Sequence, residues 1–124
     1  MKNYLLFLLM TSAAQVMQGQ DLIAMLSSES YDNMEKEMSP NVQMRMDDGS
    51  MVTGPAAVKK ALKESLQSYG LKEVTAQHTG SLDTEQDYHI LRLSNHNAEE
   101  MRIFVHVMDT LEGRRIKDIK LRRL

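Results

Sequence analysis

The first 18 residues after position 20 carry apolar and small side chains at helical spacing. Between Asp21 and Met38 these side chains recur every three to four positions, which predicts one helix with a broad, mostly apolar face. Ser27 and Ser30 interrupt that face with small polar groups, which leaves room for close packing or for a ligand. Pro40 disfavours helical angles at Ser39, so we place the end of the helix there.

A hairpin and a second helix follow. Apolar residues alternate with polar ones from Val42 to Met46, a turn is predicted over 47–50, and a short strand over 51–53. Pro55 in the first turn and Gly70 just past the last turn bound a second helix with a clean apolar stripe.

After Gly70 the hydrophobic period changes from 3.6 to 2. Four strands are predicted at about 72–81, 87–94, 101–108 and 115–122, with polar loops between them. Helices grouped before a run of antiparallel strands indicate an α+β fold. We therefore expect two N-terminal helices packed on a curved, mostly antiparallel sheet.

The alternation also assigns the two faces of the sheet. A register that places Leu91 opposite Ile103 collects the apolar residues of the two middle strands on the face that the helices cover. Ile116 is out of step with the rest of the last strand, which predicts a β-bulge near Lys117.

Two histidines are the sharpest chemical feature of the helix-facing side. The same reasoning places His78 opposite His89, near Ser27, Ser30 and Tyr31 of the first helix. Neutral imidazoles in an apolar cavity could bind a polar ligand, ligate a metal, or act as acid and base. The simpler alternative is a pair of partly buried histidines that form structural hydrogen bonds. No third metal ligand stands out, and we expect no metal.

The opposite face of the sheet mixes apolar residues with cations. We expect it to carry a set of candidate interface or anion-binding residues: Ile90, Arg92, Arg102, Phe104, His106 and Lys120. Such a surface suits a homodimer, an anionic ligand or an acidic partner, or it is simply solvated.

The N-terminus has the three-part plan of a secretory signal. Lys2 precedes a short apolar run over 4–10, and small residues follow over 11–14. Cleavage after Ala14 and cleavage near Gly19 both remain open, as does an N-terminal core helix instead of a leader. We expect a signal peptide over 1–20 and one domain over 21–124, exported to the periplasm or secreted, with no membrane span.

Composition narrows the function classes. Apolar residues make up 42% of the 124 residues and charged residues 26%, as in ordinary globular proteins. The net charge is −2, and it becomes −3 without Lys2, which argues against a nucleic-acid partner. The absence of Cys excludes disulfides and thiolate metal sites. No phosphate loop or dinucleotide fingerprint is present, and we expect no cofactor.

The element order and several short segments resemble the nuclear transport factor 2-like superfamily, also called the cystatin-like cone, in a branch of small exported bacterial domains of unknown function. The segments are Gly54-Pro55, His78-Thr79-Gly80-Ser81, Tyr88 and Ile90, Arg102-Ile103-Phe104-Val105, and Ile116, Ile119 and Leu121. The resemblance implies a cone-shaped sheet whose interior holds a ligand or an acid/base pair, and homodimers that pair through the outer sheet face.

These observations favour a non-catalytic binding or protein-interaction domain that holds a small ligand in its cone. Two alternatives remain. One is an isomerase- or hydrolase-like enzyme in which His78 or His89 acts as general base. The other is an accessory subunit without a small-molecule site.

Overall fold

The computed structural model describes residues 19–124, which form three helices and six strands. The helices are α1 (Gly19–Ser27), α2 (Tyr31–Lys36) and α3 (Pro55–Tyr69). The strands are β1 (Met38–Arg45), β2 (Met51–Thr53), β3 (Leu71–Ser81), β4 (Gln86–Asn95), β5 (Glu100–Thr110) and β6 (Gly113–Arg123).

The single helix expected over 21–38 is wrong, because the chain breaks between α1 and α2. At the break, Ser28 Oγ donates to the carbonyl oxygen of Ala24 at 2.7 Å and lies 2.7 Å from Ser30 Oγ. Serine hydroxyls that bond to the backbone compete with helix continuation. Glu29 then adopts a left-handed φ of 56°, which redirects the chain into α2.

The helix end assigned to Pro40 is also wrong, since Met38 already opens β1. Pro40 lies inside that strand, between Met38 and Gln43, where the pairing with β6 shifts register. Because the ladder is interrupted there, the missing N–H of proline is tolerated.

The second helix predicted from the sequence corresponds to α3 and matches its prediction. Pro55 occupies the first turn, and Gly70 caps the C-terminus with φ 76° and ψ 53°. The left-handed conformation is why a glycine is needed at this position. The face that α3 turns inward buries Val58, Leu62, Leu66 and Tyr69.

All six strands belong to one sheet in the order β2-β1-β6-β5-β4-β3. The predicted hairpin and the antiparallel four-strand meander are both present. The hairpin joins the meander through a parallel pairing of β1 with β6, which the sequence pattern did not indicate. The last strand of the chain therefore lies near the middle of the sheet.

The predicted register of the middle strands is confirmed. Leu91 pairs with Ile103, and the ladder between β5 and β6 shifts where Lys117 is inserted between Ile116 and Asp118. The helices of residues 19–124 cover the face of the curved sheet that carries Leu91 and Ile103, here called the concave face, and none of these helices lies on the opposite, convex face.

Two register shifts in β3 were not predicted, one between Leu71 and Glu73 and one between Ala76 and His78. Ala76 pairs with Leu91 and His78 pairs with Ile90, so Gln77 is the inserted residue. Because side chains alternate along a strand, the extra residue reverses the phase of everything after it. His78 therefore lies on the convex face, and Thr79 lies opposite His89.

The interior between helices and sheet is filled by apolar side chains. Fully buried residues come from every layer: Leu22, Leu26, Met34, Val42, Met44, Val58, Leu62, Leu91, Ile103, Val105, Val107 and Ile116. Methionines are prominent among them, and their flexible side chains suit an irregular space. Within residues 19–124 no helix combines the length and the apolar character that a membrane span requires.

Candidate functional site

The concave face becomes polar at one end, beside the N-terminus of α1. A cavity of about 390 Å³ lies there. Its lining residues are Gly19, Thr79, Gly80, Ser81, Asp87, His89 and Arg114. We call this region the polar end.

His89 is the most buried polar side chain of the polar end, with 3% of its surface exposed. The Oγ1 of Thr79 lies 3.1 Å from His89 Nδ1, within hydrogen-bonding distance. Gly19 packs directly against the imidazole, since a Cβ at this position would lie 3.3 Å from Nδ1. The start of α1 thus forms one wall of the cavity over His89.

Asp87 is held as a carboxylate at the rim. Ser81 Oγ donates to Asp87 Oδ1 at 2.8 Å, and the guanidinium of Arg114 forms an ion pair with the other carboxylate oxygen. The hydrogen bond from Ser81 and then the interactions with Arg114 lower the pKa of Asp87. Arg114 also donates through Nε to Asp109 at 2.9 Å, so the guanidinium bridges two acids.

Of the five pocket residues predicted from sequence, the structure places one at the polar end. His89 lies there, but His78 lies on the convex face, where its Nε2 is 3.0 Å from the hydroxyl of Tyr88. The predicted pairing of the two histidines is therefore wrong. Because they occupy opposite faces, they cannot ligate one ion or share one proton.

The three predicted pocket residues of the first helix lie elsewhere. Ser27 is exposed, and the hydroxyl of Ser30 is engaged with Ser28. Tyr31 is buried, and it lines a separate cavity of about 300 Å³ toward α3. Burial and then the nearby charge of Glu29 raise the pKa of Tyr31.

Sequence reasoning missed four residues of the polar end: Thr79, Ser81, Asp87 and Arg114. Asp87 could have been predicted from the sequence, because it lies two residues before His89 on the same strand and therefore on the same face of the sheet. Thr79 and Ser81 could be found only with the bulge at Gln77 in place.

A second cavity of about 390 Å³ opens at the opposite end of the sheet. Met46, Met101 and Leu121 form its apolar floor, and Ser65 and Ser68 of α3 form one wall. None of the predicted site residues lines this cavity.

On the convex face the predicted residues do share one surface. Ile90, Phe104 and Lys120 form one row across three strands, and Lys120 Nζ lies 5.9 Å from the centroid of the Phe104 ring. Arg92, Arg102 and Arg122 form the adjacent row. Ile90 and Phe104 are half-buried between these charged neighbours.

His106 has a structural role on that face. Its Nδ1 lies 3.0 Å from a carboxylate oxygen of Asp118, and its Nε2 lies 2.8 Å from the side-chain oxygen of Gln86. Both ring nitrogens are occupied within the chain, which leaves the arginines and Lys120 as the anion-binding candidates.

Comparison with solved structures confirms the fold. The chain is similar to a DUF4783 family protein from Bacteroides ovatus, with a TM-score of 0.73, 16% identity, and coverage of 83% of this chain and 92% of that one. A DUF4783 family protein from Bacteroides uniformis gives a TM-score of 0.74 at 10% identity, covering 86% and 96%.

The resemblance to the cystatin-like cone is confirmed as well. A domain of unknown function with a cystatin-like fold from Nostoc punctiforme matches with a TM-score of 0.65 at 11% identity, covering 82% of this chain and 70% of that one. Among curated proteins, no sequence matches this chain. The family model described as "Domain of unknown function (DUF4783)" matches residues 20–122, and the chain therefore belongs to the DUF4783 family.

Proposed function

We propose that this chain is an exported, non-catalytic binding domain that holds a small polar ligand at the polar end of its concave face. The observation that carries the proposal is the position of His89. It is a nearly buried, titratable side chain at the wall of an open cavity, with a hydroxyl group beside it. Buried polar groups next to a cavity are typical of ligand sites.

The filled interior supports a ligand site at this end of the cone. The helices and the sheet meet over fully buried side chains such as Leu26, Met34 and Met44. A ligand in the centre would have to displace them, which costs packing energy. At the polar end, in contrast, about 390 Å³ is already open, within the range of small-molecule sites.

The lining residues define the chemistry of the ligand. Thr79 and Ser81 offer hydroxyls, Asp87 offers an anionic acceptor, and Arg114 offers a cationic donor. These groups suit a small molecule that carries both donors and acceptors, in contrast to a purely apolar one.

Export and access to the site are connected in this proposal. Gly19 packs on His89 and belongs to the leader that we expect over 1–20. Cleavage after residue 20 would remove this wall and widen the cavity over the imidazole. The exported form is therefore the one that binds.

The enzymatic alternative depends on His89, because His78 lies on the other face. A general base must reach the proton that it abstracts. Nδ1 of His89 already has Thr79 as a hydrogen-bonding neighbour, and the ring is 3% exposed. These contacts fit a structural or binding role better than a catalytic one.

The test is native mass spectrometry of the processed protein purified from the exported fraction of its source. We expect a retained small molecule on the wild-type chain, less of it on His89→Gln, and an unchanged amount on His96→Gln, a histidine exposed in the loop after β4. Ser81→Ala at the rim tests the same site without touching a buried residue.

Circular dichroism establishes that each variant is folded. The proposal is wrong if the wild-type protein carries no small molecule, or if folded His89→Gln and Ser81→Ala retain as much as the wild type.

A further inference from the structure

We infer that the convex face of the sheet is a docking surface for an acidic segment of another protein. It is centred on a cross-strand arginine row made of Arg92, Arg102 and Arg122. The row follows from the register: Arg92 pairs with Arg102, and Arg102 pairs with Arg122. Adjacent strands lie about 4.8 Å apart, so the three side chains extend over roughly 10 Å.

Like charges directly opposite each other destabilise a sheet unless a counter-charge lies between them. Arg92 has one, in its ion pair with Glu100. Within residues 19–124, no carboxylate forms an ion pair with Arg102 or Arg122. Arg102 and Arg122 therefore carry positive charges that no acid in this part of the chain neutralises by an ion pair.

The neighbouring rows extend the positive surface. Lys120 pairs with Phe104 on one side and with Arg45 of β1 on the other, so two more cations lie next to the arginine row. Three acids lie on this face within the described strands: Glu100 is paired with Arg92, Asp118 is engaged by His106, and Glu73 of β3 lines the same cavity as Arg92 and Glu100. The chain as a whole has a net charge of −2, so the excess of cations is confined to this surface. A positive surface of this kind favours a negatively charged partner.

Apolar side chains beside the cations favour a protein partner over a free anion. Phe104 stands two residues from Arg102 on the same face, and Ile90 pairs with Phe104. Interfaces combine such aromatic and aliphatic contacts with arginine. A membrane surface fits less well, since both residues are half-buried among charged side chains and cannot insert into a bilayer.

A second copy of this chain also fits less well. A two-fold interface brings the same patch of both subunits together, and here that would place one arginine row against the other. The occupant is therefore a different protein, with carboxylates to pair with the row and an apolar side chain to contact Phe104.

The test uses the processed chain and a short capped peptide of alternating Glu and Leu residues as probe, measured by isothermal titration calorimetry. We expect binding that weakens as salt is added, at least about tenfold weaker binding for R102Q/R122Q, and less than about twofold change for K60Q/K63Q. The two double variants remove the same charge, and Lys60 and Lys63 are exposed on α3, away from the convex face.

The single variant R122Q, at an exposed position, keeps the test valid should the double variant unfold, and it should weaken binding in the same direction. A peptide with Gln in place of Glu should not bind. Four outcomes overturn the inference. The first is that the Glu peptide does not bind. The second is that the arginine and lysine variants weaken binding equally. The third is a wild-type dimer that the arginine variants dissociate in light scattering. The fourth is binding to phosphatidylglycerol vesicles through the same arginines without binding to the peptide.

Discussion

The side chains of the polar end are organised by hydrogen bonds between neighbouring strands. Thr79 and Ser81 of β3 face His89 and Asp87 of β4 in alternate pairs of the ladder, with the pair of Gly80 and Tyr88 between them. In the pairs of Thr79 and Ser81 the hydroxyl of the β3 residue lies within hydrogen-bonding distance of the β4 side chain. These contacts help to fix the orientation of His89 and Asp87. The position of Gln77 decides this arrangement, because the bulge brings the hydroxyl residues into phase.

Asp87 should make stability depend on pH. Because its pKa is lowered in the folded state, its contribution is present above the unfolded pKa, near 4, and is lost as pH falls through the folded value. We expect Asp87→Asn to lose about 1 kcal/mol of unfolding free energy at pH 7, with the difference from wild type vanishing in strong acid. Urea unfolding at a series of pH values measures this.

Glu112→Gln, in the exposed turn before β6, is the control and should follow the wild-type curve. A loss at pH 7 that stayed constant through the acid range would contradict the electrostatic origin of the effect.

Among the elements, α3 has ends that its own sequence determines. Its C-terminus is also tied to the end of β4: the Tyr69 hydroxyl donates to the carbonyl oxygen of Leu93 at 3.0 Å, and the side-chain nitrogen of Asn95 donates to the carbonyl oxygen of Tyr69 at 3.1 Å. Gly70 lies between these contacts and must keep its left-handed backbone for both to form.

We therefore expect Gly70→Ala to destabilise the protein by about 1 kcal/mol, because an L-residue is strained at φ 76°. Thermal unfolding measures the loss. Ser68→Ala, at an exposed position two residues earlier on α3, places the same alanine side chain on a helical backbone without strain and should leave the melting temperature unchanged or slightly higher. A melting temperature for Gly70→Ala equal to that of wild type would show that the cap is not needed.

The alternation of apolar and polar residues, together with Pro and Gly at helix ends, predicted most of the helices and strands. These signals failed where the chain is polar, because an inserted residue there does not disturb the apolar pattern. From Leu91 to Ile103 the apolar positions mark one face, and the misfit of Ile116 revealed the bulge at Lys117. Around Gln77 the residues are small or polar, so an inserted position leaves no misfit to detect. The break between α1 and α2 was hidden in the same way, because Ser30 keeps the helical spacing while its neighbours bend the chain.

For the whole molecule, the decisive contact is the parallel pairing of β1 with β6. Ile119 pairs with Met44 on one side and with Val105 on the other, and it is 1% exposed. It thus joins the N-terminal hairpin to the meander. No pattern within one strand encodes which other strand will lie beside it, so this pairing could not be predicted from alternation.

Ile119→Ala should lower the unfolding free energy by about 2–5 kcal/mol, because it leaves a cavity at this junction. Ile90→Ala, the same substitution at a half-buried position of the convex face, should cost clearly less. Denaturant titration compares the two. Equal losses would mean that the junction is no more tightly packed than the outer surface.

The central place of β6 also bears on when the native structure can form. Because β6, the last of the six strands in chain order, bridges β1 and the rest of the sheet, neither half can complete its pairing before β6 is available. Closure of the six-stranded sheet therefore requires residues 113–123.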